Sequence, residues 1–250
     1  MVLIDGEERD AIPVDDPGFA AGYAVFETMR TYGGQPYGLD EHLERLRRSA
    51  EHCRITMPEI SVLHAEIGEV IAAIPGEARI NVTLTGGGRR VVKARALDLT
   101  WVGRQMKVVS KHWTADPWLP GWVKHTSRLA TWMACDRADE ALWIAPEGVW
   151  TECTQSNLFV VRGGALWTPP DDGRILRGVT RGGMILAARS IGIDVRELPV
   201  TVGPCDEMWL ASTLKELAPV VELDGEPAAG AGPVGEALRA AFRLAVTRGG

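Results

Sequence analysis

Long apolar runs are missing from this 250-residue chain. No segment therefore reaches the roughly 20 consecutive apolar residues that a membrane-spanning helix needs. Paired cysteines are missing too: Cys53, Cys135, Cys153 and Cys205 are scattered, with no Cys-x-x-Cys to suggest zinc or a redox dithiol. The five histidines, His42, His52, His64, His112 and His125, show no His-x-x-x-His or His-Glu-x-x-His spacing, and no metal is expected. Basic residues are outnumbered, 27 Lys and Arg against 33 Asp and Glu, for a formal net charge of -6. That balance argues against a nucleic-acid partner, because phosphate binding needs a concentrated basic surface. The first residues lack the basic region and apolar stretch of a secretory leader, so a cytoplasmic location is expected.

What is present is ordinary for a globular protein: 46% hydrophobic and 24% charged residues, enough to build one substantial core or two smaller ones. The nine tryptophans fall mostly in expected strands or beside an expected linker, where packing explains them better than a base-stacking platform. A strand over Val2–Ile4 and a segment over 25–32, closed by Gly33-Gly34, read as hairpin chemistry. From Leu39 the spacing turns helical, with Asp40 as N-cap and Leu43, Leu46 and Ala50 recurring at threes and fours until about Cys53. A second helix is expected over 58–73, stopped by Ile74-Pro75-Gly76. Strands are expected over 79–85, 96–102 and 106–110, then a linker rich in proline. Beyond it the pattern predicts a helix over 127–138, strands over 140–145, 149–152, 157–161 and 165–168, and a helix over 180–190. A strand near Val195, two more over 207–211 and 217–223, and a terminal helix follow. The class is α+β in two lobes: an N-terminal α/β domain over 1–113, a linker over 114–122 and a C-terminal α/β domain over 123–250.

Several residues could carry chemistry. Lys124 follows Trp122-Val123 and precedes a predicted helix, a strand end where an amine could lie desolvated, lose its proton and attack an aldehyde. A solvated lysine is the plainer reading. Glu152 lies between two apolar strands, where a carboxylate is costly unless a cation meets it, or where it simply faces water at a strand end. The stretch from Arg174 to Gly183 is a glycine-punctuated turn into a helix whose first N–H groups suit a phosphate, although such turns commonly just let the chain bend. Ser212 and Thr213 offer two hydroxyls that could donate to phosphate or cap a turn. Arg45, on the inner side of the first long helix, could supply charge for a phosphate or form a surface ion pair.

Taken in order, Val25-Phe26-Glu27-Thr28-Met29-Arg30, Leu39-Asp40-Glu41-His42-Leu43-Glu44-Arg45-Leu46, Val123-Lys124, Thr151-Glu152 with Ser156-Asn157, Gly178-Val179-Thr180-Arg181 and Pro219-Val220-Val221-Glu222 resemble the class IV aminotransferases of pyridoxal-phosphate fold type IV. The resemblance runs along nearly the whole chain. It implies a small N-terminal α/β lobe, a larger C-terminal lobe with a barrel-like sheet, and pyridoxal 5'-phosphate as cofactor. Lys124 would hold the cofactor as a Schiff base, and Glu152 would pair with its pyridine nitrogen. Arg45, the Val179 and Thr180 amides and the Thr213 hydroxyl, beside Ser212, would hold its phosphate. A homodimer acting on amino-acid and keto-acid substrates is also implied.

Within that family, Ser49-Ala50-Glu51, Arg54-Ile55-Thr56, Pro58 and Ser212-Thr213 look most like the D-amino-acid transaminases. Lys124-His125, Arg128-Leu129, the stretch from Gly148 to Cys153 and Thr28 look instead like 4-amino-4-deoxychorismate lyase, whose pattern would place Asn where Ser212 stands. A non-catalytic relative that binds the cofactor is the third reading. Tyr23-Ala24 replaces the usual Asp-Gly, and the substrate-loop region around Thr85 to Arg90 is short. Candidates for substrate contact are Phe26 and Thr28 and, for clamping a carboxylate, Arg89 first, then Arg90, Arg30 and Arg128.

Overall fold

A computed structural model describes residues 1–114 and 116–248; the expected linker includes Ala115, which lies outside the described residues. The chain divides into two compact units. The first comprises Met1–Asp98 and Val123–Arg128, the second Leu99–Trp122 and the described residues from Leu129 onward.

The first unit contains β1 (Val2–Ile4), β2 (Glu7–Glu8), α1 (Pro17–Ala20), β3 (Ala24–Tyr32), β4 (Gln35–Pro36), α2 (Leu39–His52), α3 (Ile60–Ala72), β5 (Ala78–Thr85) and β6 (Arg90–Ala96). Its sheet runs β2-β1-β6-β5-β3-β4. Side chains alternate faces along a strand, so Val25, Glu27, Met29 and Thr31 of β3 are buried on one side. Phe26, Thr28 and Arg30 occupy the other. The first face meets Leu43, Leu46 and Ala50 of α2 and Leu63, Ile67 and Val70 of α3, with Ile80, Val82, Val92 and Ala94 completing the core. Both helices therefore bury one apolar stripe.

Three local readings change here. The hairpin at Gly33-Gly34 joins β3 to β4, whereas β1 pairs with β2 and β6. The N-cap of α2 is Gly38 in a left-handed conformation, φ 61°, and Asp40 sits in the first turn, where a carboxylate favours the positive helix end. The third strand is β6, not 96–102, whose residues Leu99–Trp101 form a 3-10 turn. Charged residues on both faces of β6, Arg90 toward Glu66 of α3 and Lys93 and Arg95 on the other side, masked its alternation.

The second unit holds β7 (Met106–His112), α4 (Leu129–Cys135), β8 (Glu140–Ile144), β9 (Val149–Cys153), β10 (Asn157–Arg162), β11 (Ala165–Thr168), α5 (Val179–Ser190), β12 (Val195–Glu197), β13 (Val200–Thr201), β14 (Glu207–Ser212), β15 (Glu216–Leu223), β16 (Glu226–Pro227) and α6 (Pro233–Arg248). Strands β10, β14, β15, β7, β8 and β9 hydrogen-bond in that order. One further pairing, Asn157 opposite Glu152, joins β9 back to β10 and closes a six-stranded barrel. Strand β7 was expected in the N-terminal domain, but it pairs in parallel with β15 and β8 and so belongs to this barrel. Its backbone pairing, which sequence pattern does not reveal, moves the boundary from residue 113 back to about 98 and returns 123–128 to the first unit. The helix expected over 127–138 is shortened to α4.

A buried ion pair fixes one end of the barrel. Glu140 Oε1 accepts from Lys215 Nζ at 2.7 Å and from Ser156 Oγ at 2.6 Å, while Glu140 Oε2 accepts from the Gln155 amide at 2.7 Å. The next residue, Glu216, holds φ at 56°, a left-handed conformation unusual for a side-chain-bearing residue. The pair thus ties the start of β8 to the turns beside Asn157 and beside Ser212-Thr213. Replacing Lys215 by Met should cost about 3 to 5 kcal/mol, because the Glu140 charge would stay buried and unpaired. The double change Glu140→Leu and Lys215→Met should recover most of that loss. Chemical denaturation of the three proteins checks both statements.

Candidate functional site

In the first unit the residues around Lys124 run beside the start of β3. The Phe26 amide donates to the Lys124 carbonyl at 3.0 Å, the Thr126 amide to Ala24 at 2.9 Å, and Val25 bridges His125. The hydroxyls of Thr126 and Ser127 both donate to the Gly22 carbonyl at 2.8 Å. Gly22 has φ 65°, and a Cβ there would lie 2.9 Å from Ser127 Oγ, so the turn requires glycine. The Lys124 amide donates to Ser49 Oγ of α2 at 3.2 Å. The Lys124 side chain is half-buried, with Nζ 4.7 Å from the centre of the Phe26 ring, within the range of a cation–π contact. Strand alternation puts Thr28 on the same face as Phe26, where Thr28 Oγ1 accepts from Asn81 Nδ2 at 2.7 Å.

On the opposite face of β3, Glu27 is fully buried. Arg45 meets it with two parallel bonds, Nε to Oε1 at 2.6 Å and Nη2 to Oε2 at 2.7 Å, and His42 Nδ1 lies 2.8 Å from Oε2. Burial works to raise the Glu27 carboxyl, but the Arg45 charge and hydrogen bonds, with His42 behind them, outweigh it and hold the group far below the usual carboxylate range. For His42 burial dominates in the other direction: the attraction of Glu27 does not offset it, and Arg45 and Lys124 add to the lowering. The ring is therefore neutral, with Nδ1–H donating to Glu27 and Nε2 buried without a partner. Sequence reasoning identified Arg45 but gave Glu27 and His42 no role. The alternation of β3, which puts Glu27 between buried Val25 and Met29, was the signal available.

The second unit carries the other candidates. Glu152 Oε2 accepts from Asn157 Nδ2 and from the Leu176 amide, both at 3.0 Å, and Asn157 Nδ2 also donates to the Leu176 carbonyl at 2.9 Å. The barrel-closing pair is thus also a hydrogen-bonded pair. Helix α5 starts at Val179 behind Gly178, with no side-chain cap and no acidic residue in its first turn. The Val179, Thr180 and Arg181 amides precede the first intrahelical bond and point outward from the helix end. A Cβ on Gly178 would lie 2.0 Å from Asn157 Oδ1, so glycine is needed for this close approach. The hydroxyls of Thr180, Ser212 and Thr213 make no hydrogen bond among the described residues.

The remaining arginines separate. Arg89 sits beside the turn between β5 and β6 and is engaged by Asp5 at 2.8 Å; Arg90 is paired with Glu66. Arg128 stays with the Lys124 segment in the first unit. Arg30 is buried on the Phe26 face, its guanidinium 4.1 Å from the centre of the Tyr32 ring.

The sequence profile of the class IV amino-transferases matches residues 24–223. The chain belongs to this family. Pyridoxal phosphate is the cofactor of these enzymes. The aminotransferase is 28% identical to a D-alanine aminotransferase of Listeria monocytogenes, over 97% of this chain and 93% of that one. It is 30% identical, over 88% and 85%, to a protein of Methanocaldococcus jannaschii named for branched-chain-amino-acid transamination. It is 26% identical, over 90% and 87%, to an aminodeoxychorismate lyase of Bacillus subtilis. Among solved structures, the branched-chain aminotransferase of Thermoproteus uzoniensis with norvaline aligns at TM-score 0.88 and 26% identity, covering 99% of this chain and 94% of that one. A T.th. branched-chain aminotransferase with N-(5'-phosphopyridoxyl)-L-glutamate aligns at TM-score 0.87 and 26% identity, with the same coverage. The fold is therefore the type IV fold.

The donor set fits the cofactor. In the second unit, free helix-end amides and unpaired hydroxyls suit a phosphate and a held carboxylate suits a protonated ring nitrogen; in the first, a half-buried lysine suits an aldehyde.

The neutral, buried His42 makes stability depend on pH. Its folded-state value lies below the unfolded one, so the unfolded chain binds the extra proton first and stability falls as pH drops below about 6.5. Glu27, depressed in the folded state, adds a second loss below about 4.5. Unfolding midpoints between pH 8 and 5 should decline for the wild type, and His42→Asn should flatten that decline.

Proposed function

We propose that the aminotransferase transfers the amino group of a D-amino acid, of the kind of D-alanine or D-glutamate, to a 2-keto acid. Supporting this reading is the coincidence of the D-amino-acid-transaminase-like stretch with the lysine: Ser49, in that stretch, accepts the hydrogen bond of the Lys124 amide. The D-alanine aminotransferase likeness over 97% of the chain points the same way.

The residue roles belong to this reading. Lys124 is the attachment residue, and Arg45, Val179, Thr180, Ser212 and Thr213 are the residues that would hold the cofactor phosphate. Glu152, oriented by Asn157 and the Leu176 amide, would keep a proton on the ring nitrogen. When bound, pyridoxal phosphate supplies the electron sink that makes the substrate α-proton removable. The Lys124 Nζ would be the base that moves that proton. Phe26 and Thr28 line the same sheet face and shape the substrate position. Of the arginine candidates for the substrate carboxylate, Arg30 now ranks above Arg89, whose guanidinium is engaged by Asp5. A homodimer and a cytoplasmic location complete the proposal. The exposed apolar side chains of Leu129, Trp132 and Met133 on α4 support the dimer.

A second reading, 4-amino-4-deoxychorismate lyase, rests on Lys124-His125, Arg128-Leu129 and the Bacillus subtilis relative. The two separate in one assay. With D-alanine and 2-oxoglutarate the transaminase forms pyruvate and glutamate, whereas the lyase forms pyruvate and 4-aminobenzoate from aminodeoxychorismate with no acceptor. The expected result is turnover in the first mixture, with D-alanine outperforming L-leucine; pyruvate in the second mixture alone would sink the proposal. A non-catalytic relative would show the near-visible cofactor band and no turnover in either. Borohydride reduction should fix the cofactor to Lys124, and Lys124→Ala should lose both band and activity.

A further inference from the structure

The sheet of the first unit carries a charge conflict. On the face turned away from α2 and α3, Arg30 of β3 stands directly opposite Arg79 of β5, and Arg79 directly opposite Arg95 of β6. Three arginines thus form one row across three adjacent strands. One pair nearer to Phe26, Thr28 faces Asn81, and Asn81 faces Lys93. Like charges placed directly opposite each other across strands destabilise a sheet. Burial and the neighbouring Arg95 hold the Arg79 guanidinium below its ordinary value. Burial, Arg95 and Arg79 do the same to the Lys93 amine.

Carboxylates are plentiful in this chain and relieve other arginines nearby: Asp5 meets Arg89, Glu66 meets Arg90, and Glu44 meets Arg47. Among the described residues none pairs with Arg79, Lys93 or Arg95. A local conflict kept without a compensating partner is the mark of a functional position. The row spans two strand spacings, about 9 to 10 Å from Arg30 to Arg95, more than one carboxylate can bridge.

We propose that Arg79, Lys93 and Arg95, with Arg30 completing the row, bind a small molecule that carries two or more carboxylates or a phosphate group. The row lies four strand positions from Phe26, about 13 Å along β3, on the face to which the Lys124 amine is turned. Two sources share this chemistry. One is the far end of an anionic substrate, which rests on the transaminase reading; the other is a separate anionic effector, which does not.

Titration calorimetry on the cofactor-loaded protein tests the site without turnover, so it stands even if the transaminase reading fails. Tricarballylate or inorganic phosphate should bind, more weakly as salt rises, and butyrate should not. The double variant Arg79→Gln/Arg95→Gln should weaken that binding by about tenfold or more, because two charge-assisted contacts are lost. Lys93→Gln should weaken it as well. The double variant should melt no lower than wild type, since the opposed charges are gone. A raised KM for D-glutamate but not for D-alanine would assign the site to the substrate's distal group. Unchanged KM for both, with calorimetric binding lost, would assign it to an effector. Equal binding by wild type and double variant, no heat at millimolar ligand, or a lower melting temperature for the double variant would overturn the proposal.

Discussion

A carboxylate shut away from water at position 27 constrains the first unit. It can remain ionised there only because Arg45 reaches it with two parallel hydrogen bonds and His42 with a third. That requirement fixes the rotation of α2 about its axis, since His42 and Arg45 must share a face three residues apart, and it fixes the distance of α2 from β3. Ser49, one further turn along the same helix face, is then placed to accept the Lys124 amide. Removing the carboxylate would leave a buried guanidinium unpaired, the costly half of a buried ion pair. The lysine's position therefore follows from a charge pair on the other side of the strand beside it.

Strand geometry divides the labour. The period of two along β3 sends Glu27 into the core and turns Phe26, Thr28 and Arg30 to the other face, so core residues and candidate contact residues alternate in one short segment. The second unit uses a different device. Its barrel closes through the pairing of Asn157 with Glu152, and the same two side chains hydrogen-bond each other and the Leu176 backbone. Here the seam of the architecture and the candidate chemistry coincide, which gives Glu152 a fixed orientation on a rigid element rather than on a loop.

Much of this was readable from the chain. The period-two run over β3, the threes and fours of α2, and Gly178 before α5 each announce their element through side-chain chemistry alone. What escaped depended on partners far away in sequence. Strand β6 carries Lys93 and Arg95 on its outer face and Arg90 among its helix-facing positions, so the strand was placed too late, over 96–102, until register with β5 was known. Strand β7 looked like the end of the first domain because nothing local reveals that it pairs in parallel with β15, more than a hundred residues later. Lys124 and Arg45 stood out as candidates, whereas Glu27 and His42 passed as ordinary motif residues because burial is a property of the packed sheet and helix together. Arg89 drew attention as a guanidinium beside a short loop, and its engagement by Asp5 is a contact across 84 positions that no spacing rule supplies.

The path of the backbone has a further consequence. The first unit is left after Asp98, revisited by Val123–Arg128 and left again, so Lys124 rides on a short return segment interrupting the barrel unit's own stretch of sequence. No single cut yields both units intact. A fragment ending near residue 98 would lack the lysine along with the edge it adds beside β3, and the remainder would carry that segment with nothing to pair against. The units are thus bound to be inherited and exchanged together, and recombination between relatives should be tolerated only at paired crossover points on either side of residues 123–128.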